Sequence, residues 1–257
     1  MTNLNRSAPV WLFDLDNTLH NASHAIFPAI TANMNRYLGR ILGDGQTPAD
    51  DDTVNAARQL YWSRYGATLT GMVRHHGVSA ADFLHETHQI GDLAQMVRSE
   101  RGIGRLLRAL PGRKILLTNA PTRYSRDVMR HLGLQRRFSD HIAIESMRVH
   151  GQMRPKPSRL MLRRLLRRQQ LAPGRCILVE DTLANLRSAK SLGLRTAWVT
   201  QWAARDQRRP AGTIAVTAAA AAAAPVPVPL RPLNRPAYVN VKVKSVRQLR
   251  ARLHRLR

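Results

Sequence analysis

The chain is short of cysteine, of acid and of long apolar runs, and each shortage removes a class of protein. Among its 257 residues Cys176 is the single cysteine, so no disulfide can close within the chain and a reducing compartment is expected. It lies in the run Cys176-Ile177-Leu178-Val179, which suits a small buried hydrophobe better than a nucleophile. No stretch approaches the roughly 20 apolar residues of a membrane-spanning helix. Asp14 and Asp16 cut off the apolar run that starts at Val10 far too early for a signal peptide, and the run Ala218 to Ala224 ends in prolines. A cytoplasmic protein without a membrane span is the expectation. Aromatic residues are also scarce towards the end, where Tyr238 alone follows Trp202, so base stacking is not indicated there.

The shortage of acid is the most pronounced. Sixteen Asp and Glu face 41 Lys and Arg, a net charge of +25. Every acid lies at or before Asp206, whereas Arg208 to Arg257 holds 11 basic residues and no acid. Such a balance attracts nucleic acid, acidic membrane surfaces or phosphorylated ligands. An Arg-rich solvated surface is the plainer reading of the same charge.

What is present is a repeated pattern. Val10-Trp11-Leu12-Phe13, Lys114-Ile115-Leu116-Leu117, Cys176-Ile177-Leu178-Val179 and Thr196-Ala197-Trp198-Val199 are short apolar runs that suit strands buried on both faces. Helical patterns lie between them: Thr122 to Leu132, Pro157 to Gln170 with Pro157 at the first helical position, and Leu183 to Leu192 closed by Gly193. Strands alternating with helices predict an α/β fold, a doubly wound parallel sheet with a Rossmann-like core. Ligands of such sheets sit beyond the carboxyl ends of the strands, where Asp14, Thr118 and Glu180-Asp181 end their runs.

The alternation is interrupted between Asn21 and Arg101. Ala25 to Leu42, Val54 to Tyr65, Leu69 to His75, Ala80 to Thr87 and Leu93 to Leu110 read as helices, and a small helical cap inserted after the first strand is expected. The boundaries are 1-20 and 102-214 for the core, 21-101 for the cap, 215-236 for an Ala/Pro-rich linker and 237-257 for a basic C-terminal tail. Within that tail, Tyr238 to Val243 alternates like a strand and Ser245 to Arg257 suits a basic helix capped by Ser245.

Four constellations carry chemistry. Asp14-Leu15-Asp16-Asn17-Thr18-Leu19 follows a buried strand directly, and its paired carboxylates repel unless a hard cation such as magnesium joins them. One carboxylate can then attack phosphorus, and the other can protonate a leaving alcohol and deprotonate a water. Thr118-Asn119 offers a hydroxyl and backbone amides at a strand-to-helix junction, a place for phosphate oxygens. Lys156, in Arg154-Pro155-Lys156-Pro157-Ser158, can offset charge on a transferring phosphoryl group. Glu180 and Asp181 end a buried strand, where adjacent acids are costly without a cation.

On these motifs the chain resembles the haloacid dehalogenase-like hydrolase superfamily, whose phosphatases carry DxDxT where this chain has Asp14 to Thr18. The resemblance implies Asp14 as nucleophile and Asp16 as general acid and base, with Thr118, Asn119 and Lys156 on the phosphate. It also implies Mg2+ held by Asp14, Asp181, Glu180 and the Asp16 backbone carbonyl. Dehalogenases of the superfamily lack the second acid. Over Trp11 to Thr200 the chain is similar to the pyrimidine 5'-nucleotidase branch, through Tyr65-Gly66-Ala67-Thr68-Leu69, Gly71, Phe83 to His88 and Leu110 to Lys114. His20 departs from that branch, where Tyr is usual. The branch implies pyrimidine nucleoside 5'-monophosphates as substrates, with Tyr65, His85, His88 and Arg74 as contacts from the cap. Phosphoglycolate or a sugar phosphate is an alternative, as are a nucleic-acid-binding protein using the basic tail and a scaffold that binds a phosphorylated ligand without turnover.

Overall fold

The computed structural model describes residues 8–202 and 234–256. The described residues fall into two compact units. One takes in the chain up to Ser23, the stretch from Leu93 to 202, and 234 onward; the other is His24–Asp92. Most of the expected linker at 215-236 lies outside the described residues.

The core unit is built on six strands: β1 (Val10–Phe13), β2 (Arg113–Leu117), β3 (Asp140–Ile142), β6 (Cys176–Glu180), β7 (Arg195–Val199) and β8 (Val241–Val243). A separate hairpin pairs β4 (Arg148–Val149) with β5 (Gln152–Met153). The six strands are parallel throughout, in the order β3-β2-β1-β6-β7-β8. From β1 the chain winds outward through β2 and β3 on one side and through β6, β7 and β8 on the other. The reversal of strand order at β1 places a ligand crevice at its carboxyl end.

Burial explains why β1 holds the centre. All four of its residues are buried, and successive side chains serve opposite faces of the sheet. Val10 and Leu12 join a cluster with Met161, Leu162, Leu165 and Leu166 of α8 (Arg159–Arg168) and Leu186 and Ala189 of α9 (Leu183–Lys190). On the alternate positions Trp11 stacks on Phe13, which meets the edge of Phe138. Fully burying side chains of this size stabilises by about 1.5–3 kcal/mol each.

Three expectations change. The helix expected from Pro157 begins at Arg159, because the Ser158 hydroxyl accepts from the Met161 N–H and caps it there. The helix expected from Leu93 to Leu110 is two, α5 (Leu93–Met96) and α6 (Ile103–Ala109). Gly102 stands between them at φ 78°, a left-handed conformation that glycine adopts without a Cβ clash.

The third change concerns residues 237-257, expected as a basic tail outside the core. Val241–Val243 instead forms the sixth strand beside β7, and Val239, Val246, Leu249 and Leu256 are buried with it. Asn240 ties this segment down, its side-chain oxygen accepting from the Thr196 N–H at 3.1 Å and from the Lys190 ammonium at 3.1 Å. The helix expected over Ser245 to Arg257 is a pair of 3-10 turns, Val246–Gln248 and Arg250–Leu256. The apolar side chains bind this stretch to the sheet, while Lys242 and Lys244 stay exposed.

The second unit contains α1 (Ile26–Leu42), α2 (Asp51–Tyr65), α3 (Thr68–His76) and α4 (Ala80–Thr87). Asp50 caps α2 and Ser79 caps α4 through side-chain oxygens. Gly71 of α3 lies against Tyr61 of α2 so closely that a Cβ would come within 2.1 Å of the ring. No helix among the described residues is long and apolar enough to cross a membrane.

Candidate active site

The register of the central strands assembles the site. Phe13 pairs with Leu116 on one side and with Val179 on the other, so one step further Asp14 and Glu180 leave neighbouring strands together. The Asp14 N–H donates to the Val179 carbonyl at 3.0 Å and fixes that exit. Lys156 enters from the loop before α8. Its ammonium lies 2.6 Å from Asp14 Oδ1 and 2.8 Å from Glu180 Oε2. Asn119 holds the Lys156 backbone from both sides, donating to its carbonyl at 3.0 Å and accepting from its N–H at 2.9 Å. The amide that the sequence assigns to phosphate is therefore engaged in placing the lysine. Thr118 is buried at the end of β2, its hydroxyl oxygen accepting from the Ala120 N–H at 3.0 Å.

Asp14, Glu180 and Asp181 are all buried, with carboxylate oxygens within 4.8 Å of one another. Burial pushes the Asp14 carboxyl well above the ordinary carboxylate range; Glu180 and Asp181 add to the rise and Lys156 opposes it. Burial also works to raise Glu180, but Lys156, Asp181 and the Thr182 N–H outweigh it and hold Glu180 low. Burial works to lower Lys156, and the two acids it touches more than compensate. Three buried carboxylates around one ammonium leave an excess of negative charge in a place of low polarity. Their hard oxygen donors fit a small divalent cation such as magnesium, which would remove that excess. Asp181 is held in place by the Thr182 hydroxyl at 3.1 Å and by the Trp198 indole N–H, which donates to its carbonyl at 3.0 Å.

Asp16 stands outside this cluster. Its side chain is 17% exposed, and Oδ1 takes the Tyr124 hydroxyl at 2.7 Å and His20 Nε2 at 2.9 Å. Asn17, at φ 57°, makes the turn between Asp16 and His20, and its side chain is locked to Ser23 at 2.8 and 3.1 Å. Tyr124 sits in the first turns of α7 (Thr122–His131), and burial followed by the Asp16 charge keeps its phenol protonated. The sequence marks His20 as a departure and gives no sign of Tyr124 beyond its place on the helix after Thr118-Asn119.

The family model described as haloacid dehalogenase-like hydrolase matches residues 10–193, the stretch that carries Asp14, Asp16, Thr118, Lys156, Glu180 and Asp181. The chain belongs to the haloacid dehalogenase-like hydrolase family. Solved structures resemble it at the level of the fold. A phosphatase of this family from Thermococcus onnurineus matches with a TM-score of 0.56 at 15% identity, covering 96% of this chain and 97% of that one. An L-2-haloacid dehalogenase from Xanthobacter autotrophicus, with chloropropionic acid covalently bound, matches at 0.54 and 16%, covering 96% and 98%. YfnB of Bacillus subtilis, a hydrolase of the family bound to magnesium, matches at 0.53 and 16%, covering 96% and 98%.

In this hydrolase the residues expected to touch substrate from the cap belong to the other unit, where each has local partners. The Tyr65 hydroxyl meets His75 Nε2 at 2.7 Å, and the Arg74 guanidinium lies 5.2 Å from the Tyr65 ring. His85 of α4 pairs at 2.8 Å with Gln89, just beyond the end of that helix. His88 Nδ1 lies 3.0 Å from the Leu84 carbonyl.

Proposed function

We propose that this hydrolase is a magnesium-dependent phosphomonoesterase that works through an aspartyl-phosphate on Asp14. Asp16 carries the reading. A halide leaves a carbon as a stable anion, whereas the alkoxide of a phosphate ester needs a proton as it departs. A second carboxylate two residues beyond the nucleophile, partly exposed and gripped by two donors, suits that need. Asp14, Glu180 and Asp181 would hold the cation. Magnesium, when bound, would neutralise charge on the cluster and on the incoming phosphate.

An Asp14 oxygen attacks phosphorus, the ester P–O bond breaks, and its electron pair stays on the leaving oxygen, which takes the proton from Asp16. Water then gives a proton to Asp16 while its oxygen attacks phosphorus, releasing inorganic phosphate and restoring Asp14. Lys156 keeps Asp14 oriented and offsets charge as the phosphoryl group arrives. Thr118 lies at the end of β2, where phosphate oxygens would sit.

The substrate we propose is a pyrimidine nucleoside 5'-monophosphate, on the likeness of the cap sequence around Tyr65 to Leu69 and Phe83 to His88. Phosphate release from UMP, CMP, phosphoglycolate and a sugar phosphate, with and without magnesium, tests this. The expected result is metal-dependent release that is fastest from UMP and CMP. Faster release from another ester would replace the substrate. Turnover of a 2-haloacid with none of any ester would overturn the phosphatase reading.

A further inference from the structure

The two donors on Asp16 come from separate elements. His20 reaches it across the Asn17 turn, and Tyr124 comes from α7, 108 residues further along the chain. Both converge on the same oxygen, Oδ1, at 2.9 and 2.7 Å. A partly exposed carboxylate does not need two buried donors for its solvation, since water can supply it. His20 is fully buried, and its Nδ1 has no hydrogen-bond partner. Among the described residues the one polar contact of that ring is therefore Asp16. An apolar side chain would fill the same space without leaving a buried nitrogen unsatisfied. The ring is better explained by what it does to Asp16 than by packing.

We propose that Tyr124 and His20 are positioning residues for proton transfer. By engaging Oδ1 they hold the carboxyl group in the orientation from which it passes the proton to the leaving group. In the second half-reaction the same carboxylate takes a proton from water. This rests on the phosphomonoesterase reading. It assigns to this chain a tyrosine and a histidine that the catalytic motifs do not include.

The test is the dependence of rate on the leaving group. Wild type, Tyr124→Phe and His20→Leu are compared on an alkyl phosphate, UMP, whose alcohol must be protonated, and on p-nitrophenyl phosphate, whose phenolate leaves without a proton. His20→Gln, which can still donate to Asp16, serves as the conservative rescue. Tyr124→Phe and His20→Leu should each lose about tenfold in kcat/KM on UMP, which reports the step that expels the alcohol; this is a part of the roughly 10²–10⁴-fold that a positioned acid contributes. The same variants should stay within about threefold in kcat/KM on p-nitrophenyl phosphate, and His20→Gln should recover most of the loss on UMP. In an Asp16→Asn background, Tyr124→Phe should add nothing further. Equal losses on both esters, or a full additional loss in the Asp16→Asn background, would overturn the positioning role while leaving the phosphatase reading intact. A wild type that releases phosphate from none of the esters, phosphoglycolate and the sugar phosphate included, would overturn that reading and the positioning role with it.

Discussion

Polar side chains gather in two parts of this chain under opposite physical conditions. At the carboxyl end of β1 and β6, Asp14, Lys156, Glu180 and Asp181 are all buried, and each charge depends on the next. In the helical unit, Tyr61, Tyr65, His75 and His76 form a ring cluster in which both histidines keep some access to solvent, with Tyr61 stacked on His75 at 5.5 Å. The buried group holds charge at a cost that only partners can offset, so losing one member should be felt throughout. The exposed members of the outer cluster can exchange their contacts for water. The core site is therefore one coupled unit, whereas the helical unit holds contacts that act separately.

The sharpest way to break the comparison is Lys156→Met. It leaves Asp14 and Glu180 without their shared cation, and a loss of about 3–5 kcal/mol in unfolding free energy is expected by denaturant titration. Magnesium should restore more stability to this variant than it adds to wild type, because the cation takes over the neutralisation. A loss below about 1 kcal/mol would mean that the buried network is not coupled as the distances indicate.

Leu249→Ala tests whether residues 234–256 are core. Leu249 is fully buried, and truncation should cost about 2–5 kcal/mol. A free basic tail would show no change.

Cys176 gives a pH signature of burial. Burial raises its thiol from 9.0 to about 11, with Arg175 opposing the rise. The unfolded chain therefore ionises this thiol first. Its contribution is complete below about pH 9 and is lost as pH rises through about 11. Stability of wild type should fall across that window more steeply than that of Cys176→Ala, measured at matched salt.

The smallest effect belongs to the second unit. Arg40 and Glu86 meet at 2.6 Å with side chains 50% and 38% exposed, and Glu86→Gln should cost no more than about 1 kcal/mol, shrinking further in high salt.

The central sheet was legible because buried parallel strands leave continuous apolar runs, and β1, β2, β6 and β7 each carry one. Their polar ends then gave Asp14, Thr118, Glu180 and Asp181 by position. β3 was not legible, since Asp-His-Ile at 140–142 has no apolar run and owes its place to pairing with β2. The sequence of β8 reads as a strand, in a segment expected outside the core. Its alternation, with Val241 and Val243 buried and Lys242 exposed, is what an edge strand shows, and prolines before it suggested separation instead. The Tyr124 contact lay beyond sequence reasoning because nothing in the spacing links residue 124 to residue 16. Only the parallel order of β1 and β2 brings the start of α7 to the Asp14 loop.

Covalent chemistry at Asp14 is the centre of the proposed function. The most direct measurement is rapid acid quenching of the magnesium-loaded enzyme during turnover of UMP, followed by mass spectrometry of its peptides. The account predicts one phosphoryl group on the peptide carrying Asp14, absent from Asp14→Asn. Turnover with no phosphoryl adduct, or with the adduct on another residue, would contradict it.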